Sequence, residues 1–239
     1  MKKYLISLIV MIILLAATLA ILLFNGIIWF VNPQSSGYHV KGIDVARYQR
    51  EIDWQLISSQ EIKFAFVKAT EGSSYSDPFF AVNITSSREN GIYAGAYHFF
   101  SSESSGKTQA ENFIKTVSEY NIDLPPVLDF EISNTQRGEK ENIISEAHIF
   151  LREIEAYFAV KPIIYTTSES YKAFLTDGFD EYPLWFRDLL KEPDIKGNQD
   201  WLFWQYCNRG HINGIDGEYV DLNVFNGTAS EFEAYISAS

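Results

Sequence analysis

Cysteine and basic residues are scarce in this 239-residue sequence. Cys207 is the single cysteine, so an intrachain disulfide and every metal or redox motif built from several cysteines are excluded. Nineteen Lys and Arg stand against 31 Asp and Glu, which gives a net charge of −12 at pH 7. A domain this acidic lacks the positive surface that nucleic acids require, so we expect no DNA or RNA partner.

The sequence also lacks the common motifs of metal-dependent and serine hydrolases. Its four histidines show neither HxH nor HExxH spacing, which argues against a catalytic metal. No G-x-S-x-G nucleophile elbow is present. The sequence therefore predicts no metal site and no cofactor.

A long apolar run is present at the N-terminus. Residues 4–31 contain three clearly polar side chains, and about 20 apolar residues suffice to span a bilayer. Lys2 and Lys3 precede the run, which predicts a single-pass membrane anchor with the N-terminus in the cytoplasm and the rest in the periplasm or at the cell surface. Trp29 would lie at the membrane interface. A signal peptide cleaved after Ala20, giving a secreted protein, is the alternative.

The sequence accordingly divides into three parts. Residues 1–32 would form a cytoplasmic stub and transmembrane signal anchor, residues 33–38 a linker, and residues 39–239 one folded domain. The first 32 residues carry two lysines and no acid, so the remainder has a net charge of −14. An apolar content of 46% is typical of a globular protein.

Strand-like and helix-like segments alternate along the folded domain. Short runs rich in Val, Ile, Phe and Tyr predict five strand–helix units over residues 40–175 and three more strands near 184–186, 202–206 and 220–224. Eight mostly parallel strands fit an α/β fold, a modified (β/α)5(β)3 TIM-like barrel preceded by one N-terminal transmembrane helix. A doubly wound open sheet is the alternative topology.

Acidic residues fall at the ends of several predicted strands. Asp44 ends the first strand, Glu71 the second, Asp129 and Glu131 the fourth, and Asp221 opens the eighth. Barrel active sites lie at the C-terminal ends of the strands, and burying each carboxylate separately would be costly. We therefore expect these side chains to share one solvated cleft.

Asp129 and Glu131 form the most informative pair. Residues two apart on a strand face the same side, with Cα atoms about 6.6 Å apart. Carboxyl groups this close perturb each other's pKa, so one can stay ionised while the other keeps a proton. Glycoside hydrolysis requires this combination. The alternative is a structural pair that caps the next helix or binds a Lys or Arg.

Aromatic residues recur near the same strand ends and could stack on sugar rings. The candidates are Tyr48, Tyr97, Phe99, Tyr165, Trp185, Trp204 and Tyr206. Core packing is the better interpretation for Phe99 and Phe186. We expect His98 to make a hydrogen bond within the site or just below it.

Seven short blocks, taken in order, resemble the glycoside hydrolase family 25 lysozymes. They are GIDVARYQ at 42–49, FVKATEG at 66–72, GAYHF at 95–99, LDFE at 128–131, PIIY at 162–165, WQY at 204–206 and VDLNVF at 220–225. The resemblance implies that residues 39–239 form a catalytic barrel. It also implies hydrolysis, without a metal, of the β-1,4 bond between N-acetylmuramic acid and N-acetylglucosamine in peptidoglycan. We expect the protein to act as a monomer.

The resemblance also implies roles for residues of these blocks. Glu131 would be the general acid, and Asp129 would stabilise positive charge or orient the substrate acetamido group during a retaining reaction. Asp44 and Asp221 would complete the acidic floor by binding sugar and tuning Glu131. The expected substrate-binding residues are Tyr48, Tyr97, His98, Tyr165, Trp185, Trp204 and Gln205.

The sequence departs from the family pattern in two places. The small residue after the first Asp-Val is usually Ser and is here Ala46. The sixth-strand block usually reads Trp-x-Ala-x-Tyr, whereas residues 185–189 read WFRDL. Arg187 and Asp188 could therefore narrow a subsite or form a salt bridge.

Two other functions are open on the sequence alone. The first is a module that binds glycan without cutting it, although the presence of all four acids argues against it. The second is a barrel hydrolase of another specificity, such as a glucosaminidase or a chitinase-like enzyme. Chitinase-like enzymes also place acids two apart on a strand, so the pair alone does not distinguish them.

Overall fold

The structure is a computed structural model that describes residues 2–28, 31, 33, 37–132, 139–195, 200–216 and 219–238. Three expectations fall wholly or partly outside these residues. They are the interfacial position of Trp29, the beginning of the long fifth helix at Asn134, and residues 34–36 of the predicted linker.

The N-terminal run folds as one exposed helix, α1 (Lys2–Phe24). None of its residues is buried, and its most apolar 18-residue stretch has a mean hydropathy of 3.1. Among the described residues, α1 is the one helix long and apolar enough to cross a membrane. Arg209 donates a hydrogen bond to the Phe24 carbonyl, so the helix ends against the domain that follows.

Nine strands, six further helices and one 3-10 turn at Arg47–Gln49 follow α1 in the described chain. The strands are β1 (Lys41–Val45), β2 (Ile62–Glu71), β3 (Tyr75–Ser76), β4 (Tyr93–Phe99), β5 (Val127–Phe130), β6 (Ile163–Thr167), β7 (Leu184–Arg187), β8 (Trp201–Gly210) and β9 (Val220–Phe225). The helices are α2 (Trp54–Ser58), α3 (Phe80–Glu89), α4 (Gly106–Val117), α5 (Lys140–Phe158), α6 (Ser168–Ser170), which continues into a π turn at Tyr171–Leu175, and α7 (Ala229–Ala238).

Eight of these strands close into a barrel. Strands β1, β2, β4, β5, β6, β7 and β8 are parallel neighbours in that order. Strand β9 closes the barrel by pairing antiparallel with both β8 and β1, and β3 only extends the end of β2. Five strand–helix units precede three strands, which confirms the predicted (β/α)5(β)3 barrel and excludes the open sheet.

The C-terminal helix α7 is absent from the sequence prediction. Its Phe232 is 2% exposed and packs against Phe64 and Phe225, whose rings belong to the barrel interior. Helix α7 therefore covers the N-terminal end of the barrel. The sequence did carry a signal for it, because Thr228 and Glu231 exchange the two hydrogen bonds of a capping box.

Side chains alternate between the barrel interior and the surrounding helices. Along β2, Phe64 and Phe66 pack inside, whereas Ala65 packs in the outer cluster. The Phe66 ring stacks on Trp185 with centroids 4.5 Å apart. An added Cβ at Gly42 would lie 2.3 Å from the Phe64 ring, so a glycine is needed to fit this packing. The lower half of the barrel is thereby filled, and polar residues occupy the upper half.

Candidate active site

A cavity of about 520 Å³ opens at the C-terminal ends of the barrel strands. Nine of the eleven predicted site residues line it. The lining residues are Asp44, Tyr48, Lys68, Glu71, Tyr97, Phe99, Asp129, Glu131, Tyr165, Trp185, Arg187, Gln205, Asn208 and Asp221. Barrel closure therefore brings together side chains from both ends of the folded domain.

The four predicted acids reach this cavity from neighbouring and opposing strands. Asp129 lies in β5 and Glu131 just follows it, so strand alternation turns both inward. Asp44 in β1 and Asp221 in β9 lie opposite each other in the antiparallel register. The cavity thus contains two pairs of carboxyl groups, one within a strand segment and one across a strand pair.

A hydrogen-bond network orients the Asp44 carboxyl group. Its Oδ2 accepts from Gln205 Nε2 at 2.9 Å and from Asn223 Nδ2 at 2.8 Å. Tyr165 Oη donates to the side-chain oxygen Oε1 of Gln205, and Trp185 Nε1 donates to the side-chain oxygen Oδ1 of Asn223. These two bonds orient the side-chain amides. Burial raises the pKa of Asp44 to about 6, although the bonds from Asn223 and Gln205 oppose that rise.

Asp129 and Asp221 are strongly shifted towards their neutral forms. Burial and the nearby charge of Glu131 raise the pKa of Asp129 well above its usual range. Burial and the charge of Asp44 do the same to the pKa of Asp221. The Asp129 Oδ1 is also buried without a hydrogen-bond partner among the described residues. The cavity can therefore hold protons near neutrality and offers an unsatisfied acceptor to a ligand.

Glu131 forms an ion pair inside the cavity. Arg187 Nη1 donates to Glu131 Oε1 at 2.7 Å, and the two side chains are 32% and 26% exposed respectively. The sequence left open both a catalytic pair and a pairing with a Lys or Arg. The structure shows the pairing with an arginine, and Glu131 also faces the cavity as the first interpretation requires.

Several lining residues were not predicted as site residues. Neither Lys68 nor Asn208 was expected in the cleft, whereas Glu71, which forms an ion pair of 2.6 Å with Lys68, was expected there as a strand-end acid but was given no role. Phe99, for which core packing was the better interpretation, also lines the cavity. The alternation of side chains along a strand predicts that Lys68 and Phe99 face inward. Lys68 lies two residues after the inward-facing Phe66, and Phe99 lies two residues after the inward-facing Tyr97.

Aromatic side chains form part of the cavity wall as predicted. Tyr97, Tyr165 and Trp185 are nearly buried, and burial raises the pKa of both tyrosines well above the usual range. Tyr48 is 59% exposed at the rim, where the Arg47 guanidinium lies 5.1 Å from its ring centroid. The wall therefore combines neutral phenols and an indole inside with an accessible ring outside.

The structure does not place His98 and Trp204 at the cavity, contrary to the sequence prediction. His98 is fully buried behind β4, where hydrogen bonds join it to Thr70 and Gln109 and its ring stacks on Phe150. Burial lowers the pKa of His98 to about 4, so the ring is neutral near pH 7.

Trp204 and Tyr206 also face away from the cavity. Trp204 Nε1 donates to the Asp188 carbonyl, and its ring packs against Tyr38 and Trp201. The physical reason is strand alternation, because Gln205 faces inward and both its neighbours must then face outward. Neither aromatic ring is therefore available as a sugar platform in this cavity.

No group of three or more His, Cys, Asp or Glu in the described part of the chain is arranged to hold a metal ion. The site is instead defined by carboxyl groups, phenols, amides and one partly exposed guanidinium. This set suits proton transfer and stabilisation of a positive charge.

The family model described as Glycosyl hydrolases family 25 matches residues 43–215. The chain resembles a solved family 25 glycosyl hydrolase from Bacillus anthracis, with 41% identity, a TM-score of 0.77, and coverage of 83% of this chain and 94% of that one.

The chain is also similar to two further bacterial proteins, one uncharacterized and one named a lysozyme. The chain is 39% identical over 208 residues to the uncharacterized protein YegX of Escherichia coli K12, covering 84% of this chain and 75% of YegX. It is 32% identical over 209 residues to lysozyme M1 of Streptomyces globisporus, covering 82% and 70% respectively. With the barrel and its acidic cavity, these matches show that the chain is a glycoside hydrolase that belongs to family 25.

Proposed function

We propose that this protein cleaves the β-1,4 bond between N-acetylmuramic acid and N-acetylglucosamine in peptidoglycan. The observation that carries the proposal is the inward-facing pair of Asp129 and Glu131, with Asp44 and Asp221 in the same cavity. The similarity to a protein named lysozyme supports peptidoglycan as the substrate. A cell-wall substrate also requires the barrel to lie outside the cytoplasm.

Glu131 is proposed as the general acid. It donates its proton to the bridging oxygen as the bond from that oxygen to the muramic acid C1 breaks. Water then bonds to C1 through its oxygen while the Glu131 carboxylate takes one of its protons, which restores the acid and completes hydrolysis. Asp129 stabilises the positive charge that develops at C1, or orients the acetamido group, and its unpartnered Oδ1 suits either task.

The remaining polar and aromatic lining residues are proposed to bind the sugars. Asp44 and Asp221 form the acidic floor. Gln205 orients Asp44 through a hydrogen bond of 2.9 Å. The rings expected to contact sugar are Tyr48, Tyr97, Tyr165 and Trp185. His98 and Trp204 are left out of this set because their side chains face away from the cavity.

Product analysis tests the bond specificity. Peptidoglycan is digested with the full chain in mild detergent, and the fragments are reduced and identified by mass spectrometry. We expect muramitol at every new reducing end, and a parallel digest with the Glu131→Gln variant provides the control. New ends carrying glucosaminitol would indicate a glucosaminidase instead. Intact glycan strands despite measurable binding would indicate a binding module.

We also propose that residues 4–31 anchor the protein to a membrane, with the barrel outside the cytoplasm. The support is the length, apolarity and exposure of α1. An anchor would keep the enzyme beside the wall at high effective concentration, which offsets the weak attraction between an acidic domain and an anionic wall. The competing possibility is cleavage after Ala20.

Fractionation tests the anchor. We expect the protein to stay in the membrane pellet after an alkaline carbonate wash, with an intact mass that includes Lys2 and Lys3. The reason is that the free energy of burying about 20 apolar residues in lipid is far larger than that of a peripheral contact. Soluble protein that begins at Ile21 would show instead that the segment is a signal peptide.

A further inference from the structure

The position of Arg187 links Glu131 to a second space beside the main cavity. Arg187 is the last residue of β7, and alternation from the inward-facing Trp185 turns its side chain towards the interior. It lines the main cavity together with Glu131, and both also line a neighbouring cavity of about 660 Å³. The ion pair therefore stands at the junction of two cavities.

We propose that Arg187 is a positioning residue that holds the general acid at this junction and stabilises its carboxylate form, so that it sets the upper pH limit of the reaction. This inference rests on the proposed role of Glu131. It is carried by the 2.7 Å contact between Arg187 Nη1 and Glu131 Oε1. Only one guanidinium nitrogen is engaged in this contact, so the carboxyl group keeps its second oxygen for the substrate.

Among the described charged groups around the cavity, Arg187 is the cation paired with Glu131. Asp44, Asp129 and Asp221 face the same cavity as the ion pair. Lys68 is already paired with Glu71 at 2.6 Å. The pKa values of Tyr97 and Tyr165 are raised well above their usual range by burial, so these phenols stay neutral. Two further acids, Glu169 and Asp188, line the neighbouring cavity together with Glu131 and Arg187 and do not line the main one.

The direction of the effect follows from the proton transfer. Glu131 must carry a proton before it donates it to the bridging oxygen, and it becomes an anion when it has done so. A neighbouring cation stabilises that anion, so the acid donates more readily but also loses its proton at a lower pH. Removing the cation must therefore extend activity to higher pH. It must also lower the rate at the acidic pH values where Glu131 is protonated.

Two substitutions of Arg187 separate charge from size. Arg187→Gln removes the charge and keeps a long polar side chain, whereas Arg187→Lys keeps the charge. The pH dependence of kcat/KM is measured for the full chain in mild detergent on peptidoglycan. We expect the alkaline limb of Arg187→Gln to move upwards by about one pH unit, since solvent screens this partly exposed pair. We expect kcat at the acidic plateau to fall a few-fold with little change in KM.

The Lys variant and an acid-deficient variant make the outcome decisive. The alkaline limb of Arg187→Lys should stay within about 0.3 pH units of the original, since the charge is retained. An unmoved limb in Arg187→Gln, or equal shifts in the Gln and Lys variants, would overturn the inference. Glu131→Gln is assayed in parallel. If Glu131→Gln retains full activity, Glu131 is not the general acid. If Glu131→Gln is inactive but the alkaline limb of the pH profile of Arg187→Gln does not move, only the inference about Arg187 is refuted.

Discussion

Replacing Glu131 with Gln is expected to lower kcat on peptidoglycan by about 10³-fold, within the range that general acid catalysis contributes. Glutamine matches the shape of the side chain and can still accept from Arg187, but it has no proton to give to the bridging oxygen. This loss corresponds to about 4 kcal/mol of transition-state stabilisation. The measurement is the rate of release of new reducing ends, with thermal unfolding recorded to show that the barrel is intact.

The same Glu-to-Gln substitution at an exposed position outside the cavity provides the control for Glu131. Glu89 lies exposed at the end of α3, away from the acidic cavity, so Glu89→Gln should keep kcat within about twofold. A Glu131→Gln variant that clears peptidoglycan as fast as Glu89→Gln would remove Glu131 from the mechanism. Binding should survive in Glu131→Gln, because the uncharged side chain leaves the aromatic wall unchanged.

Replacing Asp129 with Asn is expected to lower kcat by about 10²-fold, the typical loss when one preorganised electrostatic group is removed. The amide retains the size of the side chain but cannot become an anion beside the developing positive charge at C1. Initial rates over a range of substrate concentrations test this, with KM expected to change much less than kcat. An Asp129→Asn variant with kcat within twofold of the original would show that no charge is needed at this position.

Although Asp129→Asn is expected to lower kcat, it is expected to keep or raise the stability of the fold. Since burial raises the pKa of Asp129 above its value in the unfolded chain, the folded state binds more protons there and loses stability as pH rises above about 4. Asp129→Asn removes this loss, so its Tm at pH 7 should equal or exceed the original. Asp180→Asn, at an exposed position in the loop before β7, is the matched control and should change neither kcat nor Tm.

This combination separates a functional residue from a structural one. A carboxyl group that serves only folding is expected to be satisfied by hydrogen bonds, as Asp123 is by Arg88 and the Ala94 amide. The Asp129 Oδ1 has no such partner among the described residues. Loss of activity without loss of stability at Asp129 would therefore identify a group retained for its chemistry.

Strand alternation explains which sequence-based assignments failed. His98 and Trp204 were selected because they lie near strand ends, but each is flanked by the residue that faces the cavity, Tyr97 and Gln205 respectively. Phe99 was expected in the core because of its apolar side chain, yet it shares the inward face with Tyr97. Applying the two-residue period to each strand would have corrected all three assignments without a structure.

The sequence by itself determined the barrel class, the order of its elements and the four acids. These depend on local patterns, namely apolar runs that alternate with helical segments and acids at the strand ends, together with the resemblance to a known family. Only the tertiary structure decided that Arg187 meets Glu131 and that Gln205 and Asn223 orient Asp44. These contacts join residues at least 56 positions apart, and they depend on how β9 closes the barrel and on the register between strands. No local pattern in the sequence specifies that register.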